Sequence, residues 1–435
     1  MTQLSNGRAG RPTPPRRTIA AAIVAVAALA LTGIAATPAL AEESHGSGGC
    51  HDIDTTVPGS VLAHQVTQLP AVVAVTDPGR LKIHGKLCLP EHGSPKTVML
   101  ALHGITYTNS YWNAEPPVDN ADDYNFSSAM TGGGYAVLAI DRLGYGESSR
   151  PAPELVTLDV QAEVAHQLIG QLRDGQIGDT TFPHVILVGH SYGTATAWRE
   201  TARYNDADAV IGTGWGNTIQ TVPLARFFSG FYPAATDISP PAGQGAKFRS
   251  LPPGYLTPMP GGRDRDFLYR LDNSDPAVRD YDYHVLRDTV TDGEGVSFYN
   301  RYGAFPDAKL AGARLALPLS GQTKDIHVPT FQINGQYELF FCGPDQERCT
   351  SSATLTRTES KDYWTDRACF LGAVTPDAGH DLNLQRNAPF TYETVLKFAD
   401  RALGPDGENR DSYRADCADS TGQHVPDDTP RFGAS

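Results

Sequence analysis

The chain contains 435 residues, with 35 lysine and arginine residues against 49 aspartate and glutamate residues, and a formal net charge of −14. An acidic surface of this strength disfavours nucleic acids and anionic membranes as partners, because both are themselves negatively charged. The length suffices for one large domain or for one domain with a sizeable insertion.

The first 41 residues have the composition of an export signal. Four arginines between Arg8 and Arg17 form a basic start without any acidic residue, and residues 19–36 form an apolar core rich in alanine and valine. Residues 39–41 (A-L-A) then offer a cleavage site of small residues. We predict that residues 1–41 are removed and that the mature protein is secreted. A membrane anchor is the alternative interpretation, and both the general and the twin-arginine export routes are compatible with the arginines.

Removal of the signal leaves 394 residues with 31 basic and 49 acidic side chains, a charge of −18, because four arginines leave and no acid does. The remaining chain contains no second long apolar run. The sequence therefore predicts a mature protein that is soluble and has no stable membrane anchor.

All six cysteines lie in the predicted mature chain, at positions 50, 88, 342, 349, 369 and 417. Three disulfides are the usual interpretation of six cysteines in an exported chain, and fifteen connectivities are possible. Cys342 and Cys349 are close enough in sequence to close a small loop. Cys50–Cys88 and Cys369–Cys417 would then tie the two ends of the chain to its body. Because no C-x-x-C pair occurs, zinc or redox chemistry is disfavoured, and we predict no metal and no cofactor.

The beginning of the mature chain predicts a lead followed by a hairpin. Residues 42–64 are expected to form a flexible N-terminal lead, which is ordered only if Cys50 is bridged. Residues 66–75 and 81–89 predict two antiparallel strands, separated by the turn at residues 77–80 (D-P-G-R).

Buried strands then alternate with helices. Residues 97–102 and 135–140 are apolar runs typical of strands covered on both faces. Residues 157–173 have the apolar periodicity of an amphipathic helix. A further buried strand at residues 185–188 turns directly into a helix through residues 189–193 (G-H-S-Y-G). Strand, helix and strand in this order predict a parallel sheet of an α/β fold.

This alternation stops after a strand predicted at residues 207–213. Residues 218–327 combine clusters of proline, glycine and aromatic residues with a charged passage over residues 263–291 that predicts a helix. A segment of about 110 residues is too long for a simple connection between sheet strands. We expect residues 218–327 to form a lid over the carboxyl edge of the sheet. A packed accessory domain with no role in access is the alternative.

The sheet pattern resumes at residues 328–334, and residues 368–374 predict the last strand. Residues 391–403 predict a closing helix. Residues 404–435 are expected to form a C-terminal tail, which is frayed beyond the last cysteine.

Five short motifs follow the predicted strands. They are, in chain order, H-G-I at 103–105, D-R-L-G-Y-G-E-S at 141–148, G-H-S-Y-G at 189–193, N-G-Q-Y-E at 334–338 and A-G-H-D at 378–381. With these motifs the chain resembles the α/β-hydrolase family over about residues 65–217 and 328–403, and the predicted lid lies outside the resemblance. The resemblance implies a mostly parallel central sheet flanked by helices. It is strongest to exported bacterial and fungal hydrolases, which implies a class of reaction and no particular substrate.

Ser191 is the candidate nucleophile. A strand that turns into a helix through G-x-S-x-G places its serine in a sharp turn, where the glycines avoid clashes and the helix start offers backbone N–H groups. A serine hydroxyl is a poor nucleophile unless an adjacent base takes its proton. His380, in the loop after the last strand, stands where the resemblance implies that base.

The base needs a carboxylate that holds its tautomer and stabilises its charge. Glu338, three residues after Gly335 at the end of its strand, is the candidate, although the family usually has aspartate there. Asp345, between Cys342 and Cys349, is the alternative acid. Asp377 and Asp381 are too near His380 in sequence to orient it well and are interpreted as loop-shaping.

The oxyanion hole is expected to consist of the backbone N–H groups of Tyr192 and of Ile105 or its neighbour Gly104. No cofactor is required for this chemistry.

The resemblance and the serine together predict a serine hydrolase that cleaves a carboxylic ester or lactone. Epoxide hydrolases and haloalkane dehalogenases of this fold use aspartate at the position of Ser191. The partner is then a small ester-like molecule. A serine peptidase that trims peptide N-termini is the second hypothesis, with an acidic residue within 263–294 as the anchor for the amine. A non-catalytic binding protein is the third.

Overall fold

We describe the protein from a computed structural model, which covers residues 48–65, 79–237, 248–259, 265–295, 314–316, 322–343 and 347–419. These residues all belong to one compact unit, residues 46–435. The predicted signal at residues 1–41 lies outside the described residues, as does the strand predicted at residues 66–75.

The strands in the described part of the chain are β1 Gly49–Pro58, β2 Arg80–Leu89, β3 Thr97–Leu102, β4 Ala136–Ile140, β5 His184–His190, β6 Ala209–Thr213, β7 Thr218–Gln220, β8 Phe231–Pro233, β9 Tyr255–Pro258, β10 Val290–Thr291, β11 Arg314–Ala316, β12 Thr330–Gly335 and β13 Leu371–Thr375. The α-helices are α1 Phe126–Gly132, α2 Leu158–Arg173, α3 Tyr192–Tyr204, α4 Thr221–Phe228, α5 Pro276–Tyr281, α6 Ser352–Tyr363, α7 Ala388–Ala402 and α8 Arg410–Asp419. Short 3-10 turns lie at Gly59–Gln65, Asn109–Tyr111, Ala121–Tyr124, Pro153–Leu155, Ala234–Thr236, Arg265–Leu268, Leu271–Asn273, Thr323–Asp325, Asp366–Ala368 and Leu382–Leu384, and a π-helical turn at Asp282–Leu286.

Eight strands form one central sheet in the order β1-β2-β4-β3-β5-β6-β12-β13. The pairs β1–β2 and β2–β4 are antiparallel, and every other neighbouring pair is parallel. All residues of β3, β4 and β6 are buried, as expected for parallel strands covered by helices on both faces. This confirms the predicted α/β fold class with a mostly parallel sheet flanked by helices. Because the parallel strands run in one direction, the loops that follow β3, β5, β12 and β13 meet at one edge of the sheet.

The flexible lead expected over residues 42–64 is wrong for residues 49–58, which form β1. This strand pairs with β2 along its whole length, from Gly49 opposite Leu89 to Pro58 opposite Arg80. Cys50 lies directly opposite Cys88 in this register and forms a disulfide with it. The sequence made order in this segment depend on a bridge at Cys50, and this bridge is present.

The structure contains all three disulfides, and they join Cys50 to Cys88, Cys342 to Cys349 and Cys369 to Cys417. The first and third connect the outer strand and the C-terminal helix to the body of the molecule. Residues 410–419 of the expected tail thus form helix α8, with Cys417 near its end. Residues 420–435 lie outside the described residues.

The long segment between β6 and β12 is an insertion, because these two strands are neighbours in the sheet. It contains the two-stranded sheet β7–β11, the three-stranded sheet β8–β9–β10 and the short helices α4 and α5. In the charged passage predicted as one helix over residues 263–291, the described residues 265–291 instead contain several short helical pieces and the strand β10. Helix propensity is a weak signal that tertiary contacts override, and here Arg265 and Asp282 are both buried.

Among the helices that can be described, none is both long enough and apolar enough to cross a bilayer.

Candidate active site

Ser191 lies between the end of β5 and the start of α3, with a φ of 51°. Residues with a side chain rarely adopt a positive φ, so the neighbouring residues must leave room for this turn. A Cβ at Gly189 would lie 2.4 Å from Thr194 N, and a Cβ at Gly193 would lie 2.0 Å from Leu102 O. Only glycine fits at these two positions, which explains why the local sequence identified the turn.

His380 and Glu338 come from the loops after β13 and β12, and the structure brings their side chains together. His380 Nδ1 lies 2.6 Å from Glu338 Oε2, and both side chains are buried. Glu338 Oε1 accepts a hydrogen bond from Phe340 N at 2.8 Å, so both carboxylate oxygens have partners. The two loops pack closely, since a Cβ at Gly335 would lie 2.0 Å from Gly379 O.

The pKa values of the two buried histidines of the site are shifted in opposite directions. Burial lowers the pKa of His380, but the charge and hydrogen bond of Glu338 outweigh burial and raise this pKa above its usual value. Burial, with a smaller contribution from the nearby His380, holds the pKa of His190 well below its usual value. His190 therefore remains neutral, whereas His380 accepts a proton more readily than an ordinary histidine.

The loop after β3 lies against the nucleophile. A Cβ at Gly104 would lie 3.2 Å from Ser191 Cβ, so the backbone of this loop approaches the serine closely. Among the described residues, no protein acceptor is found for the Ile105 N–H. Tyr192 is the first residue of α3, where backbone N–H groups point out of the helix. Ile105 and Tyr192 both line the cavity beside Ser191, and their amides remain the predicted oxyanion donors.

The carboxylates near His380 have different partners. Asp381 is buried, accepts from Tyr107 Oη at 2.6 Å and lies 3.1 Å from His190 Nε2. It thus supports His190 and the loop, in agreement with the loop-shaping interpretation, although the sequence does not predict these long-range partners. Burial raises the pKa of Asp381, and the charges of His380 and Arg265 partly offset this rise. The alternative acid, Asp345, lies outside the described residues.

A cavity opens over Ser191 and His380; the empty space between its walls, open solvent included, is about 640 Å³, and the walls are mostly apolar. Its lining residues are Ile105, Thr106, Tyr107, His190, Ser191, Tyr192, Trp215, Ile219, Leu224, Phe227, Phe228, Leu268, Val290, Glu294, Gly295, Phe340, Phe341 and His380. The rings of Phe340 and Phe341 lie beside the His380 imidazole, with centroids 5.0 and 6.1 Å away. The cavity therefore suits an apolar group next to the serine.

Half of these lining residues, nine of eighteen, come from the insertion between β6 and β12, and sequence reasoning does not identify them one by one because the insertion has no regular pattern. The aromatic cluster around Phe227 and Phe228 is the one signal that points to them. Among the described residues that line the cavity, Glu294 is the only acidic one, and it falls within the range considered for an amine anchor. Its Oε1 accepts from Arg142 Nη1 at 2.5 Å, and its Oε2 accepts from Tyr145 Oη.

Two groups of described residues bring three possible metal ligands within 4.8 Å of one another. One is His190, His380 and Asp381, whose ligand atoms already contact Glu338 and one another. The other is His166, Glu200 and Asp206, outside the cavity lining. In the second group Asp206 Oδ2 lies 2.7 Å from His166 Nδ1, and the charge of Asp206 and above all burial raise the pKa of Glu200. Burial and Asp206 thus both favour the protonated form of Glu200.

A curated relative, Epoxide hydrolase A of Mycobacterium tuberculosis (strain ATCC 25618 / H37Rv), is 29% identical over 121 residues. These residues are 28% of this chain and 31% of that protein, so the chain spans less than a third of the relative's length.

Solved structures of similar topology include a monoacylglycerol lipase from Paleococcus ferrophilus and an esterase from Thermogutta terrifontis. The lipase is 16% identical with a TM-score of 0.46, and the match covers 73% of this chain and 97% of the lipase. The esterase is 17% identical with a TM-score of 0.43, and the match covers 80% of this chain and 98% of the esterase. At such identities and TM-scores, neither similarity bears on the reaction of this chain.

Residues 99–391 match the sequence profile of the Alpha/beta hydrolase family. Since this match spans well over half of the 435 residues, the chain belongs to the Alpha/beta hydrolase family and is a hydrolase.

Proposed function

We propose that this protein is a secreted serine hydrolase that cleaves a carboxylic ester or lactone through an acyl-enzyme intermediate. One observation carries the proposal: Ser191, in its sharp turn, lines the same cavity as His380, whose ring is held by Glu338. This is the arrangement that acyl transfer to a serine requires, with a nucleophile, a base and a carboxylate that orients the base.

In the first step His380 Nε2 takes the proton of Ser191 Oγ as the oxygen attacks the carbonyl carbon. The Nδ1–H of His380 donates to Glu338, which stabilises the imidazolium. The negative charge that develops on the carbonyl oxygen is accepted by the N–H groups of Tyr192 and Ile105.

Collapse of the tetrahedral intermediate breaks the bond to the alcohol, which leaves with the proton from His380. A water molecule then repeats the attack on the acyl-enzyme with His380 as base. Collapse of the second tetrahedral intermediate releases the carboxylic acid, and His380 returns the proton to Ser191 Oγ.

The named relative opens epoxides, but the residue at the turn argues against that reaction here. Epoxide hydrolases of this fold use an aspartate where this chain has Ser191. A serine ester formed with an acyl group is hydrolysed by water at its carbonyl carbon, whereas a serine ether formed by opening an epoxide has no such carbon. The serine therefore favours acyl substrates.

The cavity walls favour a substrate with an apolar acyl or alcohol group. Trp215, Ile219, Leu224, Phe227 and Phe228 all come from residues 215–228, and the described part of the cavity lining contains no lysine or arginine. Burial of apolar area is the main favourable term in such a pocket. A neutral, apolar ester is thus a better partner than an anionic one.

A serine peptidase remains the second candidate, because the Glu294 carboxylate lies at the cavity. A peptidase that trims N-termini needs an acidic group for the substrate's ammonium. The ion pair with Arg142 already neutralises Glu294, and both partners are buried. This pairing makes Glu294 a poor anchor and favours the esterase.

Export is part of the proposal because disulfides persist in oxidising compartments. The three disulfides account for every cysteine of the chain, and residues 1–41 have the composition of a signal. N-terminal sequencing of protein secreted from an exporting host should find Glu42 or a close neighbour as the first residue. An intact N-terminus on the secreted protein would refute cleavage.

The reaction is tested with Ser191→Ala, measured by fluorophosphonate labelling and by turnover of p-nitrophenyl acetate. We expect loss of labelling and a fall in kcat of at least about 1,000-fold, because removal of a triad member leaves only the oxyanion hole and binding. Ser127→Ala is the matched control, since Ser127 is also buried and lies in α1 outside the cavity lining. Turnover by Ser191→Ala at the wild-type rate would refute the assignment.

The substrate class is tested with chromogenic esters of increasing acyl length beside aminoacyl anilides. An esterase with this cavity should gain kcat/KM with apolar chain length until the cavity is filled, and should cleave anilides poorly. Faster cleavage of anilides than of esters would establish the peptidase instead.

A further inference from the structure

The insertion places a buried arginine against the loop that carries the proposed oxyanion donor. We call residues 103–106 the oxyanion loop. Arg265 Nη1 donates to Thr106 Oγ1 at 2.9 Å. Arg265 also holds Asp282 with two N–H groups, Nε to Oδ2 at 3.0 Å and Nη2 to Oδ1. Its guanidinium carbon lies 4.7 Å from the centroid of the Tyr107 ring.

The residue that Arg265 contacts has a strained backbone. Thr106 has a φ of 63°, a conformation that β-branched residues rarely adopt and that persists only where the surroundings impose it. Thr106 N donates to Thr289 O at 3.0 Å, and Asp288 N donates to Thr106 O at 2.8 Å. Together with the bond from Arg265, three hydrogen bonds from the insertion fix this one residue.

The same short segment supports the loop that carries His380. Asp381 N donates to Leu268 O at 2.9 Å. A Cβ at Gly379 would lie 2.7 Å from the carbonyl carbon of Tyr269, so the two backbones are in direct contact. Residues 265–270 of the insertion therefore touch the loops on both sides of the candidate nucleophile.

We propose that Arg265 is a positioning residue, which holds the oxyanion loop through Thr106 so that the Ile105 N–H points at the oxyanion. The inference rests on the proposed function, because it gives Arg265 a task in that reaction. Arg265 is not among the residues that line the cavity, so it acts on the substrate only through the loop.

A positioning role for Arg265 predicts an effect on kcat and little effect on KM. Oxyanion donors stabilise charge that is present only in the transition state, so a displaced donor lowers kcat with little effect on KM. Loss of one donor costs about 100- to 1,000-fold in kcat, and a displaced donor costs less. We expect a fall in kcat of about 10- to 100-fold when Arg265 no longer holds Thr106.

The main test removes the whole ion pair, with Arg265→Met and Asp282→Asn combined, so that no buried charge is left without its partner. The matched control is Arg287→Met combined with Asp237→Asn. These two residues form a similarly buried ion pair at 2.7 Å in the same insertion, and Arg287 donates to Thr257 and Pro258, which also belong to the insertion. The midpoint of thermal unfolding, kcat and KM are measured for both double variants.

The proposal expects the Arg265–Asp282 variant to lose about 10-fold or more in kcat with KM within about threefold. The control should unfold at a similarly lowered temperature yet keep kcat within about twofold. Equal losses of kcat in both variants would show that general destabilisation is the cause and would overturn the proposal. An unchanged kcat in the Arg265–Asp282 variant would also overturn it.

Thr106→Val is a second variant, which keeps the β-branched shape and removes only the acceptor of the Arg265 bond. It should lower kcat about threefold or more on its own, and should add little when combined with the Arg265–Asp282 variant. A wild-type kcat in Thr106→Val, or fully additive losses, would contradict action through Thr106. Wild-type protein that neither labels with a fluorophosphonate nor hydrolyses an ester would refute the proposed function itself.

Discussion

Replacement of Glu338 by glutamine tests how the carboxylate acts on His380. Glu338 Oε1 accepts from Phe340 N, and Oε2 lies 2.6 Å from His380 Nδ1. In Glu338→Gln the amide oxygen takes the place of Oε1, because Phe340 N can only donate. The amide NH₂ then faces His380 Nδ1 and donates to it, which moves the imidazole proton to Nε2. In that tautomer His380 cannot accept the proton of Ser191.

The expected loss follows from this reversed hydrogen bond. Substitution of an amide for the carboxylate of a serine triad lowers kcat by about 10,000-fold when the geometry is kept but the tautomer is wrong. At about 1.36 kcal/mol for each factor of ten, this corresponds to about 5.4 kcal/mol of transition-state stabilisation. We therefore expect Glu338→Gln to lower kcat by about 1,000- to 10,000-fold with a small change in KM.

The assay is stopped-flow hydrolysis of p-nitrophenyl acetate, which separates acylation from release of the acyl group. Asp345→Asn is the control, because Asp345 is the other acid that the sequence allows. A second measurement is the pH profile of the residual activity. Since the Glu338 charge raises the pKa of His380, its removal should move the acid limb to lower pH. Near wild-type rates in Glu338→Gln, together with a collapse in Asp345→Asn, would refute the reasoning.

Two further predictions concern pH and the disulfides. Burial and Glu338 together raise the pKa of His380 above the usual 6.5. The kcat/KM of the wild-type protein should therefore increase with pH as His380 loses its proton, with an apparent pKa above 6.5. An apparent pKa below 6.5 in the acid limb of the kcat/KM profile would contradict this prediction. Cys369–Cys417 joins residues 48 apart and Cys342–Cys349 residues 7 apart, so loop entropy predicts losses of about 4 and about 2 kcal/mol in the free energy of unfolding when each pair is replaced by serine. Urea titration of the two double variants measures both values, and a larger loss from the shorter loop would argue against the entropic account.

The residues of the candidate site are recognisable from the sequence because their requirements are local. The turn at Ser191 needs glycine at 189 and 193, and a buried strand before it and a helix after it are visible in the apolar pattern. Parallel strands end at one edge of a sheet, so residues after separate strands can be assigned to one place without coordinates. This reasoning brings His380 and Glu338 to the same edge, although it cannot choose between Glu338 and Asp345.

The disulfide pattern is an intermediate case. Cys342 and Cys349 are near neighbours in sequence, and once they are paired, Cys50–Cys88 and Cys369–Cys417 are the pairs that the sequence suggests for the other four cysteines. These pairings do not predict that residues 49–58 form strand β1, because a polar segment forms a strand only when it pairs with a neighbouring strand. Here the partner is β2, with Cys50 opposite Cys88, and the expected flexible lead becomes an outer strand of the sheet.

By itself, the sequence determined the class of fold, the family and the residues proposed to carry the chemistry, because short-range sterics and strand order dictate them. Only the tertiary structure decided the apolar walls of the cavity, the neutralisation of Glu294 and the bond from Arg265 to Thr106. Arg265 and Thr106 are 159 positions apart in the chain, and Glu294 and Arg142 are 152 apart. The insertion has no periodic pattern that predicts which of its residues face the sheet. Contacts of this kind exist only once the whole chain has packed.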